Sequence, residues 1–260
     1  MFKNSHILTR IVLPFLLLSS FTFAMLIKDM AQAVDVAGKQ RMFTQRMLKD
    51  YTMVGLENKF GSPDEDLKKI MALFEDHLNS LIDFNKESLT NESLLKVKKL
   101  WDLTKAELTK VPSKSNAGKM QEDLEVLLKQ ANEVTQLFAK QTGKASGEII
   151  NISGRQRMLS QRMASLYMLK VWGINDPQFK EKMNNALILF KTSQEKLLAS
   201  GMNTTEIHML LLKSKKSFMF FEMMNKSKSK FIPTLIYKKS NDILKDMNTV
   251  TGLYVLEENK

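Results

Sequence analysis

Two arginines, Arg41 and Arg157, each follow a glycine (Gly38, Gly154) at the same short spacing, 116 positions apart. A guanidinium presents a fixed planar fork of N–H donors that suits an oxyanion or a carboxylate. A glycine inside a helix usually has a packing or functional reason, here the close approach of a ligand or a second backbone. The full motif is Gly38-Lys39-Gln40-Arg41-Met42-Phe43-Thr44-Gln45-Arg46-Met47. It returns as Gly154-Arg155-Gln156-Arg157-Met158-Leu159-Ser160-Gln161-Arg162-Met163. The candidate ligand-binding set is therefore Arg41, Arg157, Gln45, Gln161, Gly38, Gly154, Arg46 and Arg162. The arginines would pair with an anion, the glutamines add hydrogen bonds, and Arg46 and Arg162 support.

On a helix at 100° per residue, Ile152, Leu159, Met163 and Leu166 share one side. Gly154, Arg157 and Gln161 form a stripe almost opposite, flanked by Ser153, Ser160 and Ala164. In the first copy Phe43 and Met47 face a core. Ala37, Gly38, Arg41, Thr44 and Gln45 lie on the other side, and Arg46 and Arg162 stand at the border. A small, polar, arginine-bearing face differs from an ordinary Lys/Glu-rich solvated one. Two chemistries fit it: a shared anion between Arg41 and Arg157, or arginines that cap carbonyls and pair with carboxylates between helices.

The repeat extends beyond the motif. Tyr51 matches Tyr167, Phe74 matches Phe190, Asn132 matches Asn248 and Thr135 matches Thr251, all at the same offset. Ten glycines, five prolines and little strand-type alternation indicate an all-α chain. Each unit reads as four helices, giving two tandem antiparallel four-helix units, 34–145 and 146–260. Ser62 is the expected N-cap of a helix opening at Pro63. Thr90-Asn91-Glu92 and Ser115-Asn116 open the next two helices, and Asn203-Thr204-Thr205-Glu206 offers a capping box. Apolar spacing across the join suits one long continuous helix, with Thr142 to Gly147 as the place for a break. Four antiparallel passes return the chain to its starting end, so both motifs belong near the junction. Trp101 and Phe218 are expected core anchors, and Trp172 closes the end of its helix.

The chain has no cysteine, which excludes disulfides and thiolate metal sites. None of its three histidines has a metal-pairing spacing, and no phosphate loop or nucleophile elbow occurs. No metal, cofactor or catalysis is expected. The net charge of +11 is carried by scattered lysines. It admits an anionic ligand or surface, although the lysine runs read as solvated faces rather than a nucleic-acid interface. The eighteen methionines read as helical core filler, with Cu(I) binding as the weaker alternative. Lys3 and Arg10 precede an apolar run, Ile11 to Ile27, which reads as a signal peptide within residues 1–33 cleaved after Ala24 or Ala33. An uncleaved inner-membrane anchor is the alternative.

Val36-Ala37-Gly38-Lys39-Gln40-Arg41-Met42 and Ile152-Ser153-Gly154-Arg155-Gln156-Arg157-Met158 resemble the signature of the type IV pilus methyl-accepting chemotaxis transducer N-terminal domain, the PilJ type. They are also similar to the periplasmic P-box of NarX-type nitrate and nitrite sensor kinases. The resemblance implies a periplasmic four-helix sensory bundle. By the nitrate-sensor likeness, Arg41 and Arg157 are anion ligands acting across a dimer interface. The implied function is export to the periplasm, binding of a small ligand such as nitrate or nitrite, and signalling through a membrane chemoreceptor or sensor kinase, with a homodimer possible. The alternative is a non-catalytic helical scaffold without a small ligand.

Overall fold

The structure is a computed structural model that describes residues 26–226 and 233–259. Among these residues eight helices form: α1 (Met30–Gly55), α2 (Pro63–Phe84), α3 (Ser88–Leu108), α4 (Lys114–Gln141), α5 (Ala145–Val171), α6 (Gln178–Leu198), α7 (Thr205–Lys226) and α8 (Pro233–Glu258). Helices α1 to α4 close one antiparallel ring. Helices α5 to α8 close a second, and the two lie side by side with α1 packed along α5. The all-α reading holds.

Local chemistry explains most boundaries. Pro63 and the acidic Asp64, Glu65 and Asp66 suit the first turn of α2, where free N–H groups make the helix end positive. Ser62 does not cap this helix, because it sits in the left-handed region (φ 50°) with its side chain unbonded to the helix. Helix α3 starts two residues earlier than Thr90, because the Glu87 carboxylate accepts from the Leu89 and Thr90 N–H groups. Helix α4 likewise opens early, at Lys114. At α7 the Thr204 hydroxyl accepts from Ile207 N. Asn203 is spent elsewhere, donating to Leu197 O and accepting from the Tyr254 hydroxyl, so the expected box does not form.

The long continuous helix across the join is also absent. Helix α4 stops at Gln141, and α5 begins at Ala145 after a turn through Gly143 at φ 64°. Glycine enters that left-handed conformation without steric cost. The break lets α5 turn back and lie along α1.

The leader reading falls largely on residues 1–25, outside the described residues. Of its two cleavage points, the one after Ala33 lies inside α1, whose first turn Asp29 caps by accepting from Gln32 N. Ala31 and Ala33 are buried there. Among the described residues no helix is long and apolar enough to cross a membrane.

The repeat governs packing as well as sequence. Phe74 lies 4.4 Å from Trp101 in the first ring, and Phe190 stacks at 4.2 Å on Phe218 in the second, as anchors should. Helices α1 and α5 run parallel. Gly38 lies against Gly154, Gln45 against Ser165, and the Tyr51 ring meets Trp172 at 6.0 Å. Because each of these helices packs against four others, both its faces are buried. The face that points away from its own ring is turned toward the other helix rather than to water.

Candidate functional site

The two motifs meet along this α1/α5 seam. Arg41 and Arg157 are each fully buried, and so are Gln45 and Gln161. A Cβ on Gly38 would stand 3.1 Å from Arg157 Nη2 and 3.4 Å from Arg41 Nη2. A Cβ on Gly154 would stand 2.9 Å and 3.5 Å from Arg157 and Arg41 Nη2 respectively. The glycine pair thus makes the crossing at which both guanidinium groups fit.

Their hydrogen bonds obey the repeat. Arg41 Nη1 donates to Asn132 Oδ1 (2.9 Å), and Arg157 Nη1 to Asn248 Oδ1 (3.3 Å). Arg41 Nη2 donates to the carbonyl of Asn151 (3.1 Å), and Arg157 Nη2 to that of Asp35 (3.2 Å). Each arginine therefore ties its own ring's last helix to the start of the other ring's first. Thr44 and Ser160 repeat the pattern, each donating to the carbonyl of its arginine at 2.8 Å.

One substitution breaks the symmetry. Asp35 Oδ1 accepts from Arg157 Nη1 at 2.7 Å, and its other oxygen pairs with Lys39 at 2.8 Å. The matching residue on α5 is Asn151. Burial pushes Asp35 up, but Arg157 and Lys39 outweigh it and hold the carboxyl below its usual value. Arg41 has no such partner. Among the described residues no carboxylate lies within ion-pair distance of it, and its Nε, like that of Arg157, is buried without an acceptor. Burial, together with Arg155 and Arg157 nearby, lowers its pKa well below the ordinary guanidinium value. Guanidinium nevertheless remains protonated in proteins, so of the two arginines at the glycine crossing Arg157 is compensated and Arg41 is not.

The rest of the expected set separates. Arg46 is bidentate to Asp66 on α2 (2.6 and 2.7 Å), and Arg162 reaches Glu125 on α4 (2.7 Å). Neither joins the crossing, because border positions on a helix face its own or an adjacent ring. Gln45 Oε1 accepts from Ser165 across the seam at 3.4 Å. Gln161 Oε1 accepts from Lys49 Nζ at 2.7 Å, and Gln161 Nε2 donates to Ser240 O.

Several participants escaped the sequence reading. Lys49 is fully buried, donates also to Asn241 (2.8 Å), and sits 4.0 Å over the Tyr237 ring. Burial lowers its pKa to about 8, with neighbouring Asp50 opposing the shift. Burial also raises Asp50 well above the carboxylate range. Lys49 continues the Arg41–Gln45 stripe by one helical turn, and that spacing was the available signal. Asn132 and Asn248 were visible as a repeat match, yet nothing in the sequence placed them opposite the arginines. Asp35 and Asn151 stand just before the matching motifs and carried no signal of their own.

His77 stands beside the seam on α2, its ring 5.2 Å from Phe43. Burial lowers its pKa to about 4; Lys39 and Arg157 add to the drop and Asp35 opposes it. A base whose folded pKa lies below its unfolded value costs stability as acid charges the unfolded chain first. Stability is therefore expected to fall as pH drops from about 6.5 to about 4. His77→Phe should flatten that part of a plot of urea midpoint against pH, and an unchanged slope would exclude His77 as its source.

The family model described as "Type IV pili methyl-accepting chemotaxis transducer N-term" matches residues 27–142 and again residues 137–206. The first match spans α1 to α4, and the second spans α5, α6 and the opening of α7. No curated protein and no solved structure matches the chain.

Proposed function

Because the chain belongs to the type IV pili methyl-accepting chemotaxis transducer N-terminal family, we propose that it is a periplasmic sensory module. It binds a small oxyanion, with nitrate and nitrite the first to test, and passes that state to a membrane chemoreceptor or sensor kinase. The observation that carries this reading is the uncompensated charge of Arg41 at the α1/α5 crossing. A buried charge without a counter-ion is costly. An anion reaching Arg41 and Arg157 would offset that cost and widen the glycine crossing. Because α1 and α5 are parallel and touch along their length, a change there displaces one ring against the other. Such packed interfaces shift between discrete arrangements rather than deforming smoothly. Gly38 and Gly154 permit the approach, and Gln45 and Gln161 extend the polar lining.

A second reading is a scaffold without a ligand, in which the seam only joins the rings. The completed Asp35–Arg157 pair favours it. Titration with sodium nitrate and nitrite, followed by the melting temperature and by 15N resonances of arginine Nε–H groups, separates the two. The sensory reading expects a saturable rise in melting temperature together with movement of the Arg41 Nε–H signal. Arg41→Ala combined with Arg157→Ala should abolish both. Unmoved Arg41 resonances in the folded protein, with a melting temperature indifferent to either anion, would leave the scaffold.

A further inference from the structure

A groove of about 290 Å³ lies between α5 and α6, lined in part by Glu148, Asn151, Arg155, Thr192, Ser193 and Lys196. It is distinct from the arginine crossing and touches it only through Asn151, whose carbonyl receives Arg41. The repeat supplies an internal control. Positions 35, 39, 76 and 80 in the first ring are Asp, Lys, Asp and Ser; the matching 151, 155, 192 and 196 are Asn, Arg, Thr and Lys. Glu148 stands where the first ring has Gln32, so the net change is one carboxylate lost and one cation gained, and the same place in the fold goes from a formal charge of −1 to +1.

In the first ring Asp35 itself bridges Lys39 and Arg157 with its two oxygens. In the second, Asn151 offers an uncharged amide between Arg155 and Arg41. Asn151 lines the groove, and its side-chain oxygen is buried there without a hydrogen-bond partner. Burial lowers the pKa of Arg155, with Glu148 opposing. The groove therefore holds two cations, one carboxylate that lies 3.7 Å from Lys196, and an unused acceptor.

We infer that this α5/α6 groove binds a small carboxylate carrying an adjacent hydrogen-bond donor, that is, a hydroxy or amino acid. Its carboxylate pairs with Arg155 and Lys196, giving Arg155 the counter-charge that Lys39 receives from Asp35 in the first ring. Its hydroxyl or ammonium group donates to Asn151 Oδ1, and an ammonium also meets Glu148. A bare oxyanion such as nitrate satisfies the cations but not the acceptor, so this site and the Arg41–Arg157 crossing have different ligand preferences.

Calorimetric titration of the full chain with glycolate, glycine, acetate and nitrate tests the assignment. Glycolate or glycine should bind at one site, about fivefold or more tighter than acetate, since an unmet buried acceptor penalises the simpler ion. Arg155→Gln, at a partly exposed position, should weaken that binding about tenfold or more by removing a charge-assisted contact, with an unchanged helical circular dichroism spectrum. Asn151→Asp should supply the carboxylate internally, raising the melting temperature and eliminating the binding. No saturable binding of glycolate or glycine would overturn the proposal. Binding that survives both substitutions would overturn it equally. A nitrate effect at Arg41 that persists in Arg155→Gln bears only on the crossing.

Discussion

Asp35→Ala is expected to cost about 3–5 kcal/mol of folding stability, because it strands Arg157 as an unpaired buried cation. The Arg157 side chain is 1% exposed and has 2.7 Å contact with the carboxylate it would lose. Only Asn248 at 3.3 Å and a backbone carbonyl would remain. Removing both charges is a different experiment. Asp35→Asn with Arg157→Met deletes the pair while keeping much of the volume, and replacing a buried ion pair by apolar packing is often neutral. Urea unfolding of the single and double variants therefore should show strong coupling; additive losses would mean that the two groups do not act as a pair. The pH sense follows from the depressed Asp35 carboxyl. A carboxylate with a lowered folded pKa contributes stability that is present above its unfolded value and lost as pH falls through the folded one. The Asp35 contribution should accordingly disappear below about pH 4, and the Asp35→Ala variant should lack that loss.

The second large effect lies at the other end of the same seam. A Cβ on Gly55 would stand 2.1 Å from Trp172 Cζ2 and 2.3 Å from Cη2, far inside van der Waals contact. Trp172 caps the C-terminus of α5, and its ring also meets Tyr51 edge-on. A slender side chain could turn aside cheaply, but the bulky Trp172 indole packs against both Gly55 and the Tyr51 ring, so making room for a methyl group costs one of these contacts. Gly55→Ala should thus destabilise by about 1–3 kcal/mol through overpacking, despite alanine's better helix propensity. Trp172→Leu makes room for the methyl group, so the two substitutions together should cost less than the sum of their separate effects. A double-mutant cycle in thermal unfolding reads this directly. A Gly55→Ala protein as stable as the parent would mean that the Trp172 ring does not lie against Gly55.

Both experiments probe a feature that the sequence revealed only in part. The tandem repeat, the eight helices and the placing of both motifs near the junction were legible; the parallel return of α5 beside α1 was not, because apolar spacing across the join favoured a continuous helix where the chain in fact turns at Gly143. Helical periodicity, proline positions and an even number of antiparallel passes are local or topological rules. The motif residues were legible for the same reason: glycine, arginine and glutamine on one stripe have no place on an ordinary solvated face. Capping was less legible. Ser62, Asn203 and Thr90 each suit an N-cap by type, but backbone conformation or a rival hydrogen bond decided otherwise.

The sequence by itself determined the duplicated all-helical architecture and the pairing of two arginine-bearing stripes. Only the tertiary structure decided that the stripes face each other along a buried seam, that Arg46 and Arg162 turn away to carboxylates, and that Asp35 neutralises one arginine while Asn151 leaves its counterpart alone. The physical reason is that a helical repeat fixes where a side chain points, whereas its charge balance depends on groups brought from other helices. Asp35 and Arg157 are separated by 122 residues, and chain spacing carries no information about their meeting.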